Sequence, residues 1–243
     1  MRYALYYAPL QDTTLARLGA RWLGRDAYTG EASAQPAIAG MDARTFAALT
    51  AEPRRYGFHA TLKPPFRLAD GVGAKDLLDA VEAFASKAAP LCLDRIAVSR
   101  IGRFVALTPV RPDAALGRLA ASVVEAFDAF RAAPFPEETA RRQQSGLSPA
   151  QETLLARWGY PYVMDEFRFH MTLTGAAEPA LLERIEPAAN AFFEEVLDRP
   201  LLLDSIAVFV QPAPEAPLVV AAQWPLAGSS VAETMGAGVS APA

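Results

Sequence analysis

Hydrophobic and polar positions change period several times along the chain, and each change marks an element. Residues 2–8, Arg-Tyr-Ala-Leu-Tyr-Tyr-Ala, are rich in aromatics, stop at Pro9 and predict a strand. Asp12-Thr13-Thr14 is a cap for a helix with Leu15, Leu18, Trp22 and Leu23 on one face. A loop is predicted from about Gly24 to Asp42, and a second strand over 55–62. The turn Gly71-Val72-Gly73 leads into an amphipathic helix over 75–88, with Leu77, Leu78, Val81, Phe84 and Ala85 at helical spacing. Strands near 91–98 and 104–109 follow, then a helix face of Leu116, Leu119, Ala120, Val123, Val124 and Phe127. Residues 132–150, with Pro134, Pro136, Gly146 and Pro149, predict a loop or lid, with a short helix after Ser148. A strand over 166–174 precedes a long helix from Leu181 to Leu197. Two last strands, about 201–210 and 217–224, flank a Pro-rich turn. The Gly-, Ser- and Ala-rich tail, 227–243, reads as disordered.

The pattern occurs twice. Leu93-Asp-Arg-Ile96-Ala97-Val98 matches Leu203-Asp-Ser-Ile206-Ala207-Val208, and each lies beyond a helix that follows a Phe-His-x-Thr-Leu strand. Ala4-Leu5 before Leu15-Ala-Arg-Leu also resembles Ala106-Leu107 before Leu116-Gly-Arg-Leu. The expectation is one domain over 1–226 made of two lobes, about 2–102 and 103–226. The fold class is α+β: two pseudo-symmetric lobes of βαβ type, with antiparallel strands in the sheets around a central cleft. Equivalent strands would lie side by side across it.

Alternation along the two Phe-His-x-Thr-Leu strands sorts their chemistry. Phe58, Ala60 and Leu62 share an apolar face, as do Phe167, Phe169, Met171 and Leu173. Arg55, His59, Thr61 and Lys63 fall on the opposite face of the first strand, with Gly57 leaving open space beside His59. Arg168, His170, Thr172 and Thr174 do so on the second. Imidazoles serve as acid and base near neutrality, and hydroxyls and cations hold phosphate oxygens. The plain reading of Arg55, Lys63 and Arg168 is solvated charge. Tyr7 is a candidate to stack on a base or to bond a phosphate oxygen, core packing being its other reading. Arg141 and Arg142 belong either to a lid that closes on phosphate or to an ordinary charged helix face.

Composition narrows the classes. Hydrophobic residues are 52% of the 243 and charged residues 21%, so the chain is globular rather than disordered. A net charge of −4 argues against duplex nucleic acid as a partner. The one cysteine, Cys92, excludes an internal disulfide and reads as a small buried apolar residue. Trp22, Trp158 and Trp224 read as core. No leader or membrane-spanning run is visible, so a cytoplasmic protein without membrane contact is expected. Only two histidines occur, and a metal would need a carboxylate such as Asp165 or Glu166; no metal and no cofactor are expected.

The motifs His59-Ala60-Thr61 and His170-Met171-Thr172 resemble those of the two-histidine (2H) phosphoesterases, which include 2′-5′ RNA ligase-like proteins. The longer runs Arg54-Arg-Tyr-Gly-Phe-His59-Ala-Thr-Leu-Lys-Pro-Pro-Phe66 and Trp158-Gly-Tyr-Pro-Tyr-Val163 are similar to a branch encoded with phosphonate-degradation genes. The resemblance, over about residues 2–226, implies that His59 and His170 are an acid–base pair and that Thr61 and Thr172 hold phosphate. It implies a metal-independent hydrolase of a small cyclic or linear phosphodiester, ribose-linked or nucleotide. Which histidine is the base stays open. The alternative is an RNA-end or nucleotide binder that uses the same cleft without turnover.

Overall fold

The computed structural model describes residues 1–144 and 146–229. The elements run β1 (Arg2–Tyr7), α1 (Thr14–Leu23), α2 (Ala43–Leu49), α3 (Ala51–Tyr56), β2 (Ala60–Phe66) and α4 (Ala74–Ala85). Then come β3 (Leu91–Leu93), β4 (Ile96–Ile101), β5 (Phe104–Pro109), α5 (Ala114–Ala126), α6 (Pro136–Gln143) and α7 (Pro149–Trp158). The last are β6 (Met171–Thr172), α8 (Pro179–Leu197), β7 (Leu201–Leu203), β8 (Ser205–Gln211) and β9 (Val219–Pro225). The class is α+β, and every strand pair is antiparallel.

Seven strands form one sheet in the order β4-β5-β6-β2-β1-β8-β9, and β3 pairs with β7 in a separate ribbon. Exchanging β1 with β5, β2 with β6 and β4 with β8 reproduces the order of the first six strands. The registers follow suit. Leu5 faces Val208 while its counterpart Leu107 faces Val98, and Ala4 faces Phe209 while Ala106 faces Ser99. In the ribbon, Cys92 faces Leu202. The central pair puts Ala60 opposite Met171, on the pseudo-twofold axis. One register departs from this symmetry: Met171 faces Leu107, whereas Ala60 faces Tyr7 rather than Leu5. The two sequence copies are therefore interleaved in one continuous sheet. Each contributes its last member of the six-strand core, β4 or β8, to the edge of the other.

Helices α1, α4, α5 and α8 cover one sheet face. Leu15, Trp22, Leu182, Ile185 and Phe193 pack there on Tyr7, Ala60, Leu107 and Met171. Leu77, Val81 and Val123 pack on Tyr3, Leu5, Leu62 and Val208. On the opposite face, Tyr6 and Phe209 are covered near β1 and β8 by Ala27 and Leu218. The face is left open at β2 and β6.

Several expectations differ from the structure for local reasons. The chain from Ala43 to Tyr56 is helical, started by Asp42, whose side chain accepts from the Thr45 N–H at 2.9 Å, and ended by Gly57 at φ 81°. The second strand therefore begins at Ala60 rather than 55 and runs through Pro64 and Pro65. The strand expected over 166–174 shrinks to Met171–Thr172. A 3-10 turn occupies Met164–Glu166, and the N–H groups of Leu173 and Thr174 both turn onto the Val105 carbonyl. Within 132–150 a polar helix, α6, forms behind Phe135, and Ser145 lies outside the described residues. Cys92 is exposed, because alternation in the β3–β7 ribbon turns it outward opposite exposed Leu202. Trp22 is fully buried, its indole N–H donating to the Leu173 carbonyl, whereas Trp158 and Trp224 are half-buried. Of the tail expected to be disordered, Ala227 and Gly228 donate to the carbonyls of Ala85 and Ala88, and residues 230–243 lie outside the described residues. Among the described residues no helix is long and apolar enough to cross a membrane.

Candidate active site

The sheet register builds the site. Ala60 and Met171 are fully buried on the helix side, so their neighbours in each strand point to the open face. Antiparallel pairing at Ala60–Met171 sets His59 across from Thr172, and Thr61 across from His170. The two histidines are then diagonal neighbours on one face, at a spacing of roughly 7–8 Å. Each imidazole is also turned the same way. His59 Nδ1 lies 2.9 Å from the Gly57 carbonyl, and His170 Nδ1 2.7 Å from the Arg168 carbonyl, two residues back in both cases. A carbonyl only accepts, so Nδ1 carries the proton and donates, and each Nε2 keeps its lone pair. His59 Nε2 is 3.2 Å from Thr61 Oγ1.

Burial sets the protonation state. The His59 ring stacks on Tyr6 with centroids 3.8 Å apart and lies 5.9 Å from Phe209. Burial lowers its pKa to about 4, against the Gly57 carbonyl, with His170 pushing the same way as burial. Burial also lowers His170, opposed by the Arg168 carbonyl. Both imidazoles are neutral at pH 7. Tyr6 is pushed well up, chiefly by burial.

Gly57 does not leave open space as the alternation implied. Its φ of 81° is a left-handed conformation, and a Cβ there would meet the Ala27 Cβ at 2.5 Å. It is the joint between α3 and β2. Arg54 and Arg25 brace that joint: Arg54 donates to the Leu23 carbonyl and to Thr50, and Arg25 to the carbonyls of Arg54 and Leu218.

Beside the quartet a cavity of about 520 Å³ opens on the His170 side. Thr61 and His170 are on its wall, with Phe104, Tyr160, Tyr162 and Arg168. Phe104 lies 5.6 Å from the His170 ring, and Tyr160 meets Tyr162 edge-on at 5.6 Å. Among the described residues no three His, Cys, Asp or Glu side chains gather as metal ligands; Glu166 accepts instead from Gln151 at 2.8 Å.

Of the residues expected at the site, His59, Thr61, His170 and Thr172 come together on one face, and Arg168 joins the cavity. Lys63 does not. Tyr6 faces Thr61 but Leu5 faces Lys63, so Leu62 is an extra residue in a β-bulge. The bulge breaks the alternation and sends Lys63 to the helix side. There its buried ammonium donates to the Val124 carbonyl at 3.0 Å and to Asp128 at 3.4 Å. Arg55 lies on α3 rather than on the strand, paired with Glu215 and over the Tyr56 ring. Tyr7 is buried among the helices, its hydroxyl donating to the Leu202 carbonyl. Arg141 is exposed on α6, while Arg142 lies 4.7 Å over the Tyr160 ring. Sequence reasoning missed Tyr6, whose place opposite in parity to Tyr3, Leu5 and Tyr7 was the signal. It also missed Phe104, Tyr160 and Tyr162 as cavity walls.

Fold and site together define an α+β protein that carries a His-x-Thr motif twice, crossed on the central strands of one antiparallel sheet. The chain belongs to the family described as "Protein of unknown function (DUF1045)", which matches residues 61–219. It is 39% identical over 231 residues to a protein of Janthinobacterium sp. (strain Marseille) named ribose 1,5-bisphosphate phosphokinase PhnN. That alignment covers 93% of this chain and 51% of the relative. A protein of the same name from Laribacter hongkongensis (strain HLHK9) is 36% identical over 213 residues, 87% of this chain and 48% of that one. The chain thus spans about half the length of the curated relatives it matches. Solved structures with some likeness are a Thermus thermophilus protein (TM-score 0.48, 15% identity, 95% and 100% of the two chains) and E. coli LigT complexed with NADP+ (TM-score 0.40, 12%, 93% and 98%). Both curated relatives are named for a kinase. That overturns the expectation that this chain is a phosphodiester hydrolase.

Proposed function

We propose that this chain is the ribose-phosphate-binding part of a phosphoryl-transfer enzyme, with His59, Thr61, His170 and Thr172 gripping one phosphate of the sugar. The observation that carries the reading is the register at Ala60–Met171, which crosses the two motifs on one open face. The names of the two relatives supply the sugar phosphate and the phosphoryl-transfer class. The chemistry of the quartet fits. The threonine hydroxyls donate to phosphate oxygens. Each imidazole offers an Nε2 lone pair, which takes a proton from a phosphate or hydroxyl and then donates it back across a charge-assisted bond. No Gly-x-x-x-x-Gly-Lys-Ser/Thr phosphate loop occurs in the 243 residues, so we assign this chain to the sugar side of the reaction.

Calorimetric titration with ribose 1,5-bisphosphate tests this. Saturable binding is expected, weakened about tenfold or more by His59→Ala and by His170→Ala, because each removes a hydrogen bond to a charged oxygen. Wild-type protein that fails to bind the ester, or variants that bind it undiminished, would overturn the reading. Binding should also draw a proton from solution, since an anion raises the pKa of imidazoles that are neutral in the free protein. Titrations in buffers of different ionisation enthalpy measure that uptake.

A further inference from the structure

The two half-sites are near twins in sequence, yet among the described residues the cavity beside them opens at His170. Next to His59 the equivalent space is filled: Tyr6 stacks on the ring, and Phe209 and Tyr56 stand behind it. Next to His170 the cavity of about 520 Å³ begins. That size lies in the range of small-molecule pockets and far exceeds what one phosphate needs. A ligand held by the quartet through one phosphate therefore has room for its body on the His170 side.

Two cations stand on that cavity's wall, Arg103 and Arg168. Arg168 immediately precedes the Phe169-His170 run and is exposed. Arg103 sits with Gly102 at the tip of the β4–β5 hairpin, where Ile101 pairs with Phe104 and Gly102 adopts φ 54°. Arg103 donates to Glu178 at 2.9 Å, but both side chains are largely exposed, and such a surface pair is cheap to break. The wall also holds Glu166, but its carboxylate is engaged by Gln151. A second anionic group on the ligand body would meet two guanidiniums suited to fork-like contact with phosphate.

We infer that Arg103 and Arg168 form a second phosphate subsite, so that the cavity selects a ribose phosphorylated at two positions over one phosphorylated once. The quartet holds one phosphate at the pseudo-twofold axis, the sugar crosses the cavity past Phe104, and the arginines take the other. This rests on the ribose-phosphate reading given above.

The test compares ribose 1,5-bisphosphate with ribose 5-phosphate by calorimetry on the wild-type chain and on the Arg103→Gln/Arg168→Gln double variant, each checked by circular dichroism. The wild type is expected to prefer the bisphosphate about tenfold or more, and the double variant to bring that ratio close to one. Both positions are exposed, so loss of fold is not expected; the single variants, each lowering the ratio part way, keep the test decisive if the double variant does not fold. A double variant that keeps the wild-type ratio, or a wild type with no preference, would overturn the second subsite and leave the ribose-phosphate reading standing. Binding of neither ester would overturn both.

Discussion

At the scale of single residues, His59 carries the clearest physical signature. Its ring is stacked on Tyr6, its Nδ1–H is taken by the Gly57 carbonyl, and burial lowers its pKa to about 4. The sign of the linked stability follows. Between pH 6.5 and about 4 the unfolded chain binds a proton at this position that the folded chain refuses. Stability therefore falls as the pH drops through that window and levels off below it, by on the order of 3 kcal/mol. Urea denaturation at stepped pH should show the fall in the wild type and a smaller one in His59→Asn. Nitrogen-detected NMR should find the proton of the free protein's His59 on Nδ1 at neutral pH. Lys63 gives a complementary prediction. Lys63→Ala is expected to cost about 2–4 kcal/mol of stability, because Asp128 and the Val124 carbonyl lose a buried partner. On the proposed ribose-phosphate reading, affinity for ribose 1,5-bisphosphate should stay at the wild-type value, since the side chain lies on the helix side of the sheet.

At the scale of elements, the site depends on how α3 hands over to β2. Gly57→Ala combines a left-handed φ with a Cβ that overlaps Ala27, and should destabilise by about 2–4 kcal/mol in thermal or urea unfolding. Much of this region was legible in the sequence. Apolar Phe58, Ala60 and Leu62 against polar His59 and Thr61 is a pattern that only a half-covered strand satisfies. The parity argument stopped working at Leu62, because one inserted residue in a β-bulge reverses every side chain beyond it, and nothing in the local residue types announces the insertion. Arg55 was misplaced because the helix that ends at Tyr56 is only six residues long and Thr50, at its N-cap, makes no side-chain capping hydrogen bond, so no start signal marks it. The second motif strand was overextended because Phe167, Phe169 and Leu173 are apolar and β-prone, yet tertiary hydrogen bonds to Val105 turn the backbone away. The cavity wall was the least legible part. Tyr160 and Tyr162 sit in irregular backbone after α7, where no periodicity reports direction.

At the scale of the whole molecule, the repeat seen in the sequence corresponds to a strand order that maps onto itself. The halves are nonetheless not separable blocks, because β4 lies beside β5 and β8 beside β1. Hydrogen exchange should reflect this. Amides of β1 and β2, central and buried, should be the slowest to exchange, and those of α6, which buries no residue, among the fastest. Uniform protection across both would contradict the arrangement.

The pairing of β1 with β8 also has a cost during synthesis. Tyr3 to Tyr7 form an almost wholly apolar ribbon, and the neighbour that covers one of its edges is translated about two hundred residues later. A nascent chain must therefore carry a sticky, half-bonded strand until Ser205–Gln211 has been made, which slows closure of the sheet and leaves that edge available to other chains. Ribosome-released fragments that stop before Ser205 should accumulate as chaperone-bound or aggregated species.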